Sequence, residues 1–158
     1  MPSQVKFTND LAVRLKRLKD ATRNLSEVLP ALEKEMWEDN RDGLLASTDK
    51  DGKPLAPLAA STLKNRARGN GGPLVPRGRQ SRFIANYRVG SIKLGDGNYK
   101  LIGAWQDVRS KKGVAFAGFH IEGAGRLPVR DIAGVRPTGK AKIQAKLKEW
   151  ILGKWGGV

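Results

Sequence analysis

The apolar residues of this chain keep two different rhythms, and few folds accommodate both. Leu11, Leu15, Leu18, Thr22, Leu25, Leu29, Leu32 and Met36, all but Thr22 apolar, recur every three or four positions, which lines one face of an α-helix. From Tyr87 the rhythm changes. YRVGSIKL and YKLIGAW flank Gly95-Asp96-Gly97-Asn98, the pattern of two strands joined by a turn whose glycines accept positive φ. A further apolar stretch, VAFAGFHIEG at 114–123, reads as extended. Helical spacing returns from Thr138 to Leu152, where Ile143, Leu147, Trp150 and Ile151 share one face and the lysines mostly lie on others. Helices, then an antiparallel hairpin sheet, then a closing helix define an α+β chain.

Finer boundaries follow from local chemistry. Thr8 or Asn9 suits the start of the first helix, and Pro30 lacks the N–H that a helix interior needs. The first segment therefore reads as two helices, near 9–27 and 30–41, or as one kinked helix. Residues 43–57 read as a loop, 58–67 as a short helix, and GNGGP at 69–73 as flexible chain. Thr138 is the expected cap of the last helix and Gly153 its expected stop. A chain of 158 residues suits one domain. It divides into a neutral helical segment (1–42), a basic loop-rich segment (43–86) and a sheet with a C-terminal helix (87–158).

Charge is the strongest compositional signal. Of 30 basic and 15 acidic residues, giving +15, residues 1–42 hold eight of each. The remaining 22 basic and 7 acidic side chains lie beyond, and no acid occurs between Asp51 and Asp96. Such a field favours polyanions or acidic protein surfaces. Arg66, Arg68, Arg77, Arg79 and Arg82 cluster around GNGGP and are the candidate contacts to DNA or an acidic partner. An ordinary solvated surface explains the same charges without any partner.

Several chemistries find no support. The chain has no Cys and a single His, His120, so thiolate metal sites, disulfides and paired-histidine metal sites are excluded. His120 sits among Phe116, Phe119 and Ile121 and reads as a structural histidine rather than a general base. The carboxylates after residue 43 are scattered; Glu122 and Asp131 are able to meet in space, but one pair without a second ligand set is weak evidence for nuclease chemistry. Gly134-Val-Arg-Pro-Thr-Gly139-Lys140-Ala141 imitates a phosphate-binding P-loop, but Ala141 stands where the metal-binding hydroxyl belongs. An ordinary helix start explains it better. Trp37, Trp105, Trp150 and Trp155 fall at core-like positions without the basic–aromatic interleaving of a base-stacking surface. No catalytic set, metal or cofactor is expected. No apolar run approaches the ~20 residues of a membrane span, and MPSQVKFTND lacks the apolar core of a signal peptide. A cytoplasmic chain with no membrane partner is the expectation.

Four landmarks recur in order along the chain. They are Gly52-Lys-Pro-Leu-Ala-Pro57-Leu58 followed by Thr62, then Pro73-Leu74-Val-Pro-Arg-Gly78, then Phe116-Ala117-Gly-Phe-His120-Ile-Glu-Gly123. The last is Leu127-Pro128-Val129-Arg130-Asp131-Ile132-Ala133-Gly134, ahead of the C-terminal helix. In this order, over roughly residues 28–153, the chain resembles the phage virion morphogenesis, or tail completion, family of head–tail neck proteins. It differs from that pattern by Leu55 for Trp, Ile121 for Gln, and Val129-Arg130-Asp131 where Ala-Arg-Pro is common. The resemblance implies a non-enzymatic virion component that forms a homo-oligomeric ring, commonly a hexamer, around the DNA path at the head–tail junction. It also implies contacts with other neck and tail proteins, and phosphate contacts with packaged DNA. Pro128 fixes φ, so Arg130 is expected on an exposed turn, with Pro128, Arg130 and Asp131 forming a subunit interface. The competing expectation is a stand-alone basic nucleic-acid-binding protein.

Overall fold

Pro30 sets the architecture of the first half. In the computed structural model, which describes residues 7–60, 63, 72–75, 81–95, 97–106, 121, 123 and 128–156, α1 spans Phe7–Arg23 and α2 spans Leu29–Ala46. Pro30 occupies the first turn of α2, where a missing N–H leaves no hydrogen bond unmade. A 3-10 turn, Leu25–Glu27, links the helices, and Asn24 caps it by accepting from the Ser26 N–H. This break shifts the phase of the apolar stripe. Leu29, Leu32 and Met36 are buried on α2, whereas on α1 the half-buried line is Arg14, Leu18 and Ala21, and Leu15 is half exposed.

Helix α2 runs through Gly43 to Ala46 and so takes up the first four residues of the expected loop. Arg136 packs so closely against Gly43 that a Cβ there would lie 2.8 Å from its Nη1, so the helix passes the contact as glycine. Ser47, at φ 57°, ends the helix. Asp49 then closes a tight turn by accepting from the N–H groups of Asp51 and Lys53 at 2.9 and 2.8 Å. The return strand of this loop delivers Leu55 into the core.

A four-residue helix, α3 (Arg82–Ala85), precedes the sheet. Ser81 caps it and also donates to the Leu74 carbonyl at 3.0 Å, tying Pro73-Leu74 to its start. Strands β1 (Tyr87–Gly95) and β2 (Asn98–Trp105) then form the antiparallel hairpin that the alternation predicts. Gly95 and Gly97 have φ 98° and 78° at its turn. The face carrying Tyr87 and Gly103 meets Met36 of α2, and the Tyr87 and Trp105 rings pack at 4.8 Å. Helix α4 (Pro137–Gly156) packs on α1 and α2. It starts one residue before Thr138 and continues past Gly153, so neither expected boundary residue terminates it. Its apolar line, Ile143, Leu147, Trp150 and Ile151, is half buried as the spacing requires.

The chain is thus α+β: N-terminal helices, a two-stranded antiparallel hairpin and a C-terminal helix. Its core joins Leu44, Leu55, Leu74, Val75, Phe83, Ile84 and Ile132, with Trp37, Trp105 and Ile121 against it. Most of the extended stretch expected at 114–123 lies outside the described residues; Ile121 itself is helical rather than extended. Of the helix expected at 58–67, Ala60 and Leu63 are helical and Ala59 accepts from the Leu63 N–H.

Candidate functional site

Residues 128–136 reach α4 without regular structure, so side chains must hold them. Burial along the segment is uneven: Pro128 and Val129 are exposed, Arg130 buried, Asp131 half-buried and Ile132 buried. Ile132 enters the core, and the carbonyl of Ile132 accepts from Asn40 Nδ2 at 3.2 Å. Asp131 pairs with Lys50 at 2.7 Å, and its carbonyl accepts from the Lys50 N–H at 2.8 Å. The side-chain hydrogen bond from the Lys50 ammonium to Asp131 and the carboxylate's charge raise the Lys50 pKa.

Arg130 corrects an expectation. Instead of standing on an exposed turn it is 3% exposed, and its Nη2 donates to the Ala56 carbonyl at 3.4 Å. Burial lowers its pKa from the usual guanidinium value. The cause is the path of the chain: with Ile132 drawn into the core and Asp131 held by Lys50, the side chain at 130 points inward beside the 52–58 loop. The residue presented to solvent at this turn is Val129, 60% exposed. Of the three expected interface residues, Pro128 is exposed and Asp131 partly so.

A second, stronger contact closes the segment. Arg136 Nη2 and Nε reach Asp39 Oδ1 at 2.9 and 3.2 Å, and its backbone N–H donates to Oδ2 at 3.0 Å. Nη2 also donates to the Asp39 carbonyl, and Nη1 to Thr48 Oγ1 at 3.3 Å. The side chains are 5% and 14% exposed, so the pair is largely out of water. Gly139, one turn into α4, is buried against Asp39, and a Cβ there would overlap the carboxylate. Beside the pair lies a cleft of about 10 Å³, room for one water and for no organic ligand.

This latch explains the P-loop imitation. Helix N-termini attract anions because their first N–H groups lack partners. Here the anion is internal: Asp39 takes the Arg136 N–H and guanidinium just before α4 begins, and Lys140 points to solvent. Neither Asp39 nor Arg136 stood out by motif. The signal was positional, since Asp39 continues the buried Leu29-Leu32-Met36 line of α2, and an acid on an apolar stripe needs a buried partner.

Other candidates are placed only in part. Arg82 is exposed in α3; Arg66, Arg68, Arg77 and Arg79 lie outside the described residues, as do His120 and Glu122. Trp37, Trp105, Trp150 and Trp155 are all half-buried. Among the described residues no group of three His, Cys, Asp or Glu side chains could hold a metal ion, and no helix is long and apolar enough to cross a membrane. The arrangement fixes an irregular segment and a helix start. No protein-family model, curated protein or solved structure matches the chain.

Proposed function

We propose that this chain is a structural virion component of the head–tail neck, of tail completion or tail terminator type, acting as a subunit of a homo-oligomeric ring. One observation carries the reading. The landmarks that suggested it are far apart in sequence, yet Leu55, Leu74 and Ile132 from three of them meet in one hydrophobic cluster. Ile121, from the remaining one, the third in order, packs against that cluster. Arg130 links the fourth to the first through Ala56, and Lys50 reinforces the same junction through Asp131. Four motifs that jointly build one core behave as determinants of a shared fold, which is what an ordered family pattern should encode. The junction leaves Pro128 and Val129 displayed on a pinned turn, a rigid apolar feature suited to a subunit contact.

The test is assembly. Val129→Asp leaves the interior untouched, so the variant should keep its melting temperature but fail to join neck or ring assemblies when mixed with the other neck proteins. Normal assembly by a folded Val129→Asp chain would remove this turn from the interface. The second reading, a stand-alone nucleic-acid-binding protein, draws on the +15 net charge. It requires tight, steeply salt-dependent DNA binding by a monomer or dimer.

A further inference from the structure

The neutral balance of residues 1–42 conceals a separation of charge. Helix α1 carries five basic and two acidic residues, whereas α2 carries two basic and five acidic. Helix α4, packed against both, carries five basic residues and one acidic. The cations of α2 are satisfied within it: Lys34 pairs with Glu38, and Arg41 with Asp42. Lys16, Lys19 and Arg23 of α1 are exposed and form no ion pair.

Their spacing matters as much as their charge. At 100° and about 1.5 Å per residue, positions 16, 19 and 23 fall within about 60° of one another and span about 10 Å of helix. They face away from the half-buried line of Arg14, Leu18 and Ala21. The hairpin extends this surface. A Cβ at Gly97 would lie 3.3 Å from the Arg23 Cα, and Tyr99 Oη reaches Asn24 Oδ1 at 3.5 Å, so the hairpin tip abuts the end of α1. Lys93, across from Tyr99 and so on the same face of the hairpin, is exposed and outside any ion pair; Lys100, also exposed, lies on the opposite face. Asp20, at the margin of the stripe, also forms no ion pair.

We infer that the Lys16–Lys19–Arg23 stripe, with the hairpin tip beside it, is a non-specific contact surface for the phosphate backbone of duplex nucleic acid. Three cations over about 10 Å lie on the scale of a phosphate strand, in which about four phosphates at 3.4 Å rise span the same length. Leu15, Ile92 and Leu94 are exposed near these cations, so binding to anionic vesicles is the outcome that the test must separate from duplex binding. The lysines of α4 differ in kind. Lys140, Lys142 and Lys148 are exposed and unpaired but spread around the helix axis, so no single face of a partner meets them together. The inference stands on this charge partition and does not need the ring.

The test removes equal charge from the two helices of the full-length chain. Binding to a short random-sequence duplex is titrated from about 50 to about 200 mM salt, the range in which phosphate contacts dominate affinity. Lys16→Gln/Lys19→Gln/Arg23→Gln should weaken binding at least tenfold at the low end and flatten the log–log salt slope by about 2 to 3. Lys140→Gln/Lys142→Gln/Lys148→Gln should change the slope by less than about 1. Circular dichroism should show both variants folded, since all six residues are exposed. Equal losses from the two variants would reduce the effect to net charge and overturn the inference. So would loss through Arg66, Arg68, Arg77 and Arg79 alone, preferential binding to anionic vesicles, or no duplex binding by the parent chain. Oligomeric state, read separately, tells failure here from failure of the neck reading.

Discussion

Asp39 and Arg136 form a largely buried ion pair that joins α2 to the start of α4. The Asp39 carboxylate faces the Arg136 guanidinium and backbone N–H, Gly139 lies beneath it, and Tyr87 is close enough to sense its charge. Removing one partner of a buried pair leaves the other charge uncompensated and costs about 3–5 kcal/mol. Asp39→Ala should therefore lower unfolding free energy in urea by about that amount with little change in the denaturant slope. A loss below about 1 kcal/mol would mean that the pair is effectively solvated. Tyr87 gives an independent reading of the same interior. Burial first, and the Asp39 charge second, push its phenol up from 10.0 to about 12. A pKa raised by folding stabilises fully below the unfolded value, and that contribution is lost as pH climbs through the folded one. Stability should thus fall between about pH 10 and 12. In a Tyr99→Phe chain, where Tyr87 is the sole tyrosine, phenolate absorbance should appear near pH 12. A midpoint near the ordinary 10.0 would place Tyr87 in water.

At the level of elements, α4 decides between an anion site and a self-capped helix. Because Asp39 holds the backbone at Arg136 and Lys140 is exposed, millimolar Mg-ATP or Mg-GTP should leave the melting temperature unchanged. Lys140→Ala should be equally silent. A shift of several degrees that Lys140→Ala abolishes would reassign the segment to nucleotide binding. The elements themselves were largely legible in the sequence. Period-3.6 spacing located α2 and α4, and alternation around the Gly95–Asn98 turn located the hairpin. The misses have physical causes. The Leu11-to-Met36 stripe looked continuous, but the 3-10 turn at Leu25–Glu27 rotates α1 and leaves Leu15 half exposed. Gly43 looked like a breaker, yet Arg136, distant in sequence, needs the space its missing side chain leaves. Arg130 looked displayed because an irregular segment has no periodicity from which to read inside from outside; Ile132 in the core settles its direction.

For the whole molecule, charge is divided unevenly among the elements. Acid is gathered on α2 and unpaired base on the outer face of α1, while the turn at Pro128–Val129 is pinned from behind by Lys50, Asn40 and Arg130. Subunits that join head to tail through two different patches close into rings of fixed size or grow without limit. The proposed neck role requires closure. The most direct test is sedimentation of the purified chain over a wide concentration range at moderate salt, with the Val129→Asp variant alongside. A ring-forming subunit should reach one plateau at a fixed multiple of the 17.3 kDa chain, with the variant held at the monomer. A chain that stays monomeric at every concentration, alone and with its neck partners, while binding duplex DNA tightly and with a steep salt slope would contradict the assembly role.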